Sequence, residues 1–383
     1  MKVLHLMKTS VGGTWALRQM RELARLGVEV HVALPDRGPL WEAYRRHGIR
    51  AHELQNDFSL KKPWLLPGRS CALRRLVDSV RPDLIHSHFV GTTLTMRLAL
   101  RTALQLPRIF QVPGPLHLEQ ALFRGTEIAL AQPNDTWIAT CSATRDHYLR
   151  AGVDPRRVFF SYYGTDTGLF ARTKALGRLR REIGLPLRTP IVGMVAHMYP
   201  PKRIMGRTRG IKGHEDLIDA VAIAMEKVPD LKVVFVGGAW DGAIAYEKAI
   251  RRYAEQKIPG RAYFLGTRSD VPELYGDFDV AVHPSHSENL GGAAESLLMG
   301  VPTIATNVGG FPDLIIPEKT GCLVPPRQPE ALARAIVRML RNPERARAMA
   351  AAGKRRVLST CDVATTAAQV LSIYIQVTAR GGT

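Results

Sequence analysis

The stretch His283-Pro284-Ser285-His286-Ser287-Glu288-Asn289-Leu290-Gly291-Gly292-Ala293-Ala294-Glu295-Ser296-Leu297-Leu298-Met299-Gly300-Val301-Pro302 decides how the chain is read. The apolar run Val280–His283 ahead of it reads as a short strand, and Ala294–Met299 reads as a helix. Gly291 and Gly292 stand at the entry to that helix. There they expose backbone N–H groups with no intrahelical partner, and the helix dipole adds positive potential; both favour phosphate. Glu288 lies in the loop and Glu295 about one turn into the helix. Two carboxylates thus flank the expected phosphate position and can accept hydrogen bonds from sugar hydroxyls. The alternative is a capped helix with two solvated acids.

The same strand-to-helix rhythm runs outward to both ends. In the first half, strands are expected at Val3–Met7, Val28–Leu34, Leu84–His86, Ile109–Val112, Trp137–Cys141 and Val158–Ser161, with a helix over Trp15–Leu26. The rhythm restarts with strands at Pro190–Ala196, Leu231–Val236, Ala262–Leu265, Val280–His283 and Thr303–Ala305. Helices are expected there at Glu215–Lys227 and Pro329–Leu340. Such alternation argues for parallel sheets covered on both faces. The basic segment Arg172–Pro190, with Gly and Pro, is expected to link two α/β domains of similar size, 1–171 and 172–363, that face a central cleft. The last helix, about 364–383, can pack back on the first domain.

Composition bounds the partners. Lys and Arg number 53 against 34 Asp and Glu, a net charge of +19. Residues 1–180 hold 27 basic and 14 acidic side chains (+13), and residues 181–383 hold 26 and 20 (+6). An anionic partner is expected, and mainly on the first half. The four cysteines, at 71, 141, 322 and 361, have neither disulfide-framework nor zinc-ligand spacing. No apolar run reaches the ~20 residues of a membrane span. A cytoplasmic protein is expected.

The stretch 283–302 resembles the donor-binding signature of retaining family 4 glycosyltransferases, which have the GT-B fold. Two glutamates in that signature normally enclose seven residues, whereas Glu288 and Glu295 enclose six, with Ser287 at the usual first position. Val308-Gly309-Gly310-Phe311-Pro312-Asp313-Leu314, Thr320-Gly321-Cys322-Leu323-Val324 and Leu265-Gly266-Thr267-Arg268 resemble further segments of the family. Tyr163-Gly164-Thr165-Asp166-Thr167, Gly12-Gly13 and Pro82-Asp83-Leu84-Ile85-His86-Ser87-His88 fit it as well. The resemblance spans nearly the whole chain.

It implies transfer of a sugar from a nucleotide-diphospho-sugar (UDP- or GDP-sugar) to an acceptor hydroxyl, with no metal or other cofactor. Gly12, Gly13, Gly291 and Gly292 would admit phosphates. His197, Arg268, Asn289 and Leu290 would line the donor site, Glu295 would hold the ribose and Glu288 would orient the sugar. Lys212, in Lys212-Gly213-His214, would stabilise the departing diphosphate. The family's neighbouring Arg is replaced by His197, and the long insertion Met198–Ile211 offers Lys202, Arg203, Arg207 and Arg209 in its place. Pro113 stands where the family has an active-site His, and His117 is the nearest substitute. His86 and His88 are read as structural.

The expected acceptor is a sugar or a lipid-linked glycan in polysaccharide or lipid-linked glycan biosynthesis. Phe58–Arg69, with Lys61-Lys62-Pro63-Trp64-Leu65-Leu66, would make peripheral contact with an anionic membrane at its inner face. Three alternatives stay open: a soluble small acceptor such as an aminocyclitol, a nucleotide-sugar epimerase on the same fold, and a basic nucleic-acid-binding protein. No nucleic-acid module is recognisable, so nucleic acid is not the expected partner.

Overall fold

The computed structural model describes residues 1–58, 62–171, 177–201 and 206–380. Val-, Ile- and Leu-rich runs too short for helices pair into two all-parallel sheets. The first holds β1 (Lys2–Leu6), β2 (Glu29–Leu34), β3 (Arg50–Glu53), β4 (Leu84–Ser87), β5 (Arg108–Gln111), β6 (Asp135–Ala139) and β7 (Val158–Phe160) in the order β3-β2-β1-β4-β5-β6-β7. The second holds β8 (Ile191–Val195), β9 (Lys232–Val236), β10 (Ala262–Phe264), β11 (Val280–His283), β12 (Thr303–Thr306) and β13 (Cys322–Val324) in the order β10-β9-β8-β11-β12-β13. Central strands such as β4, β6 and β11 are buried along their whole length, as helices on both faces require.

Each sheet reverses its winding once, between β1 and β4 in the first and between β8 and β11 in the second. In open α/β sheets the crevice at the carboxyl ends of such strands is where ligands bind. Gly193 leaves room for a ring against β8. A Cβ there would come within 2.1–2.3 Å of the Phe278 ring.

The chain divides into two compact units, Met1–Asp166 with Thr360–Thr383, and Thr167–Ser359. The helix Val363–Arg380 gives Ala367, Val370, Ile373, Tyr374 and Val377 to the core of the first unit, against the helix Thr14–Arg25. Thr165 receives the returning chain: its N–H donates to Cys361 O at 2.7 Å, and Val363 N–H donates to its carbonyl at 3.2 Å. The second unit closes around Val192, Leu217, Val233, Ile304 and Ile336.

Two expectations shift. The division falls at Asp166/Thr167 rather than after 171. The segment expected as the linker is folded into the second unit where it is described. Gly177 and Leu179 donate backbone N–H groups to the buried Asp277 carboxylate at 2.5 and 2.7 Å, and Arg180 pairs with Asp279 at 2.9 Å. The basic side chain is matched by acids about a hundred residues away, which composition along the chain does not reveal. Positions 172–176 lie outside the described residues.

Candidate active site

The second crevice is built by the exits of β8 and β11. After β8 come His197 and Tyr199, and β11 ends at His283 and leads into Ser285 and Glu288. These residues, with Lys212 and Gly292, line one cavity of about 170 Å³. At its centre the Lys212 ammonium forms an ion pair with Glu288 Oε2. Ser285 Oγ donates to the same oxygen at 3.3 Å, and Asn289 N–H donates to Glu288 Oε1 at 3.1 Å. The ammonium also lies 5.6 Å from the Tyr199 ring centroid. Burial, reinforced by the Glu288 charge, pushes the Tyr199 hydroxyl up to about 12, so it remains a proton donor. Trp240 stacks on Tyr199 at 5.2 Å and presents its edge to His197.

The helix Gly291–Leu298 opens on this cavity, and its glycines are required by contact. Gly291 has φ +47°, and a Cβ on it would meet the Glu288 side chain at 2.9 Å. A Cβ on Gly292 would meet the His283 ring at 2.9 Å. His283 donates to or accepts from Ser296 Oγ at 3.0 Å, and burial lowers its imidazole to about 4, so it is neutral. Among the described residues, His197 Nδ1 in the cavity wall and Ser287 Oγ and Asn289 Oδ1 in the adjoining loop are buried without a hydrogen-bond partner. Buried polar atoms are nearly always hydrogen-bonded, so a cavity with such an atom in its wall and others in the adjoining loop suits a polar ligand.

The sequence-derived candidates separate into groups. His197, Lys212, Glu288 and Gly292 share the cavity, with Asn289, Leu290 and Gly291 in the adjoining turn. Glu295 is half-buried one turn along the helix. Its charge adds to burial in raising the Tyr275 hydroxyl, which donates to Gly292 O at 3.4 Å. Arg268 instead binds Asp270 and Glu182, at 2.8 Å to Asp270 Oδ1. Arg209 bridges two aspartates, Asp216 and Asp219, on the helix His214–Ala224, the latter at 2.8 Å. Lys202 and Arg203 lie outside the described residues.

Gly12, Gly13 and His117 belong to the first unit. Gly12 (φ +70°) and Gly13 turn the chain from β1 into the helix Thr14–Arg25, and a Cβ on Gly13 would meet Met7 Cε at 3.0 Å. His117 sits 5.8 Å from the Phe110 ring with its Nε2 3.5 Å from the Tyr148 hydroxyl, and burial lowers it to about 4. At the exits of β1 and β4, His5, His86 and His88 form a buried cluster: His5 Nδ1 and His88 Nε2 are 2.9 Å apart, and Tyr163 and Tyr374 hold the outer nitrogens of His88 and His86.

The sequence reading did not single out Tyr199, Trp240, Ser285 or the contact between His286 and Asp216. Tyr199 and Ser285 carry a usable signal, because each lies within a few residues of the end of a strand that borders a reversal of winding.

Comparison with known proteins agrees with this geometry. Residues 194–356 match the family model for glycosyl transferases group 1, and residues 12–169 match that for glycosyltransferase family 4. D-inositol 3-phosphate glycosyltransferase of Corynebacterium diphtheriae is 30% identical over 354 residues, covering 84% of this chain and 79% of the relative. The protein of the same name from Corynebacterium glutamicum is 34% identical over 230 residues, covering 58% of this chain and 52% of its own length. The crystal structure of HepE from Anabaena in complex with UDP-glucose superposes with a TM-score of 0.83 at 22% identity, covering 98% of this chain and 100% of the other. The two Rossmann-like sheets therefore make the GT-B fold of a glycosyltransferase. The chain belongs to glycosyltransferase family 4.

Proposed function

We propose that the chain transfers a sugar from a nucleotide-diphospho-sugar to an acceptor hydroxyl with retention of anomeric configuration and without a metal. The observation that carries this reading is the Lys212–Glu288 ion pair at the mouth of a glycine-opened helix. The diphosphate would dock on the backbone N–H groups of Gly291 and Gly292 and draw Lys212 to itself. Glu288, released from its ion pair, would then accept hydrogen bonds from the sugar hydroxyls. Positive charge from Lys212 and the helix dipole meets the negative charge that builds on the leaving phosphate. Glu295 would hold the ribose. HepE is seen with UDP-glucose, which makes a UDP-sugar the first donor to test and a GDP-sugar the second.

For the acceptor we favour a polysaccharide or lipid-linked glycan met at the inner face of a membrane. Two features support it: the surplus of +13 in residues 1–180, and the exposure of Trp64 (68%) beside Lys62. Lys61 itself lies outside the described residues. Among the described residues no helix is long and apolar enough to cross a membrane, so peripheral, salt-sensitive contact is the expected mode. A soluble small acceptor is the second reading, and the names of the relatives favour it: they are glycosyltransferases of inositol 3-phosphate. Nucleic acid is not proposed as a partner.

A panel of nucleotide sugars, read by thermal stabilisation and then by product analysis with and without acceptor, tests the donor. Turnover of donor alone into an epimer would replace transfer by epimerisation. Flotation with anionic vesicles at low and high salt tests the membrane. Absence of binding at both, with transfer to a soluble polyol, would overturn the lipid-linked acceptor and leave the transferase reading intact.

A further inference from the structure

A second and larger cavity, about 660 Å³, opens in the second unit and shares no lining residue with the Lys212 cavity. Its walls come from residues 206–209, the helices His214–Ala224 and Ile244–Lys257, His286, and the start of the helix Pro329–Arg341. The carboxylates on its floor are already compensated. Asp216 pairs with Arg209 and His286, and Asp219 receives Arg209 at 2.8 Å and the Tyr253 hydroxyl at 2.5 Å.

Two exposed cations on its rim, Lys257 and Arg327, are not. Among the described residues, Lys257 has only the Tyr253 ring beneath its ammonium, 5.9 Å away, and Arg327 has no ion pair. Arg207, 9% exposed, also lines the wall, as does the carboxylate of Glu330, which pairs with no cation among the described residues. A positive rim over a floor of oriented carboxylates and hydroxyls suits a ligand with two ends: a phosphate for the rim, and hydroxyls for Asp219, Thr208 and Tyr253. The volume lies within the ~300–1,000 Å³ of small-molecule sites, well beyond what a lone phosphate fills.

We propose that this cavity is a second ligand site, separate from the donor site, for a phosphorylated polyol of sugar size. It does not rest on the donor chemistry proposed above. Calorimetric titration of the intact protein with glucose 6-phosphate as probe tests it. Wild type should bind, and the double variant Lys257→Ala/Arg327→Ala should bind about tenfold or more weakly, because charge-assisted bonds to phosphate are lost. Both side chains are solvent-facing, and circular dichroism checks that the variant folds; Lys257→Glu alone is the fallback and should show the same loss. Binding should persist when UDP is present in excess. Equal affinity in wild type and variant, no binding by wild type at millimolar probe, or complete displacement by UDP would each overturn the proposal.

Discussion

Lys212 and Glu288 satisfy each other across a cavity in whose wall His197 Nδ1 is buried without a hydrogen-bond partner among the described residues. On the proposed reading, Lys212 would change partners when a diphosphate enters, and its contribution would grow as negative charge builds on the leaving group. Lys212→Ala should therefore lower kcat by a factor on the order of 10²–10³, with a smaller rise in donor KM. Steady-state kinetics decide this, and full kcat in the variant would move the essential cation to another side chain. Glu295→Gln should weaken binding of the free nucleoside diphosphate by about 1.5–3 kcal/mol, since a charged acceptor is lost. Unchanged calorimetric affinity would remove Glu295 from the ribose. At this scale the sequence reading was legible where chemistry is local. A Lys-Gly pair and a glycine-opened helix point to Lys212, Glu288 and Gly292, and the structure gathers these three at one cavity. Arg209 and Arg268 were offered as cations for the site, and structure shows each already held by two acids. Glu182 and Arg268 are 86 positions apart, and such a pairing leaves no trace in local sequence.

Two loops carry the site, and they brace each other. His286 N–H donates to Ile211 O at 2.8 Å, one residue before Lys212 and two before Glu288. Gly213 (φ +74°) lies against the same loop, where a Cβ would come within 2.1 Å of Pro284 O. Gly213→Ala should therefore push the loops apart and cost at least about 1–3 kcal/mol, from backbone strain at positive φ plus the clash. A thermal midpoint equal to wild type would show that the brace yields freely. The central strands were readable because burial on both faces makes them continuous apolar runs. β3 and β13 were not expected as strands, and both lie at sheet edges. β3, Arg50–Glu53, has one partner strand and polar side chains, so its composition resembles a loop.

Across the whole molecule, buried imidazoles couple folding to pH. Burial holds His5 and His214 down to about 3 and His283 to about 4. In the unfolded chain each titrates near ~6.5. The folded state keeps the neutral form, so its stability is complete above that value and falls as pH drops from about 6.5 toward the folded values. Each group can remove on the order of 3 kcal/mol across that window. The urea midpoint should be clearly lower at pH 5 than at pH 7.5; equal midpoints would mean that the imidazoles protonate inside the fold. The alternation of strands and helices made two domains legible, but not their exact division or the fate of the segment after it, because the acids that anchor that segment lie far along the chain. Tyr374, whose hydroxyl meets His86, shows the same limit over 288 positions.

The return of the helix Val363–Arg380 to the first unit has a consequence for biosynthesis. Residues 167–359 form a continuous unit, whereas the first unit needs both 1–166 and 360–383. The part of the first unit that precedes the second in the chain is thus completed only after it. Until the helix Val363–Arg380 emerges from the ribosome, Ala16, Met20 and Leu23 lack the cover of Val370 and Tyr374. A nascent chain halted near position 359 should carry a protease-resistant second unit tethered to an open first one, a species that chaperones would recognise by its uncovered apolar face.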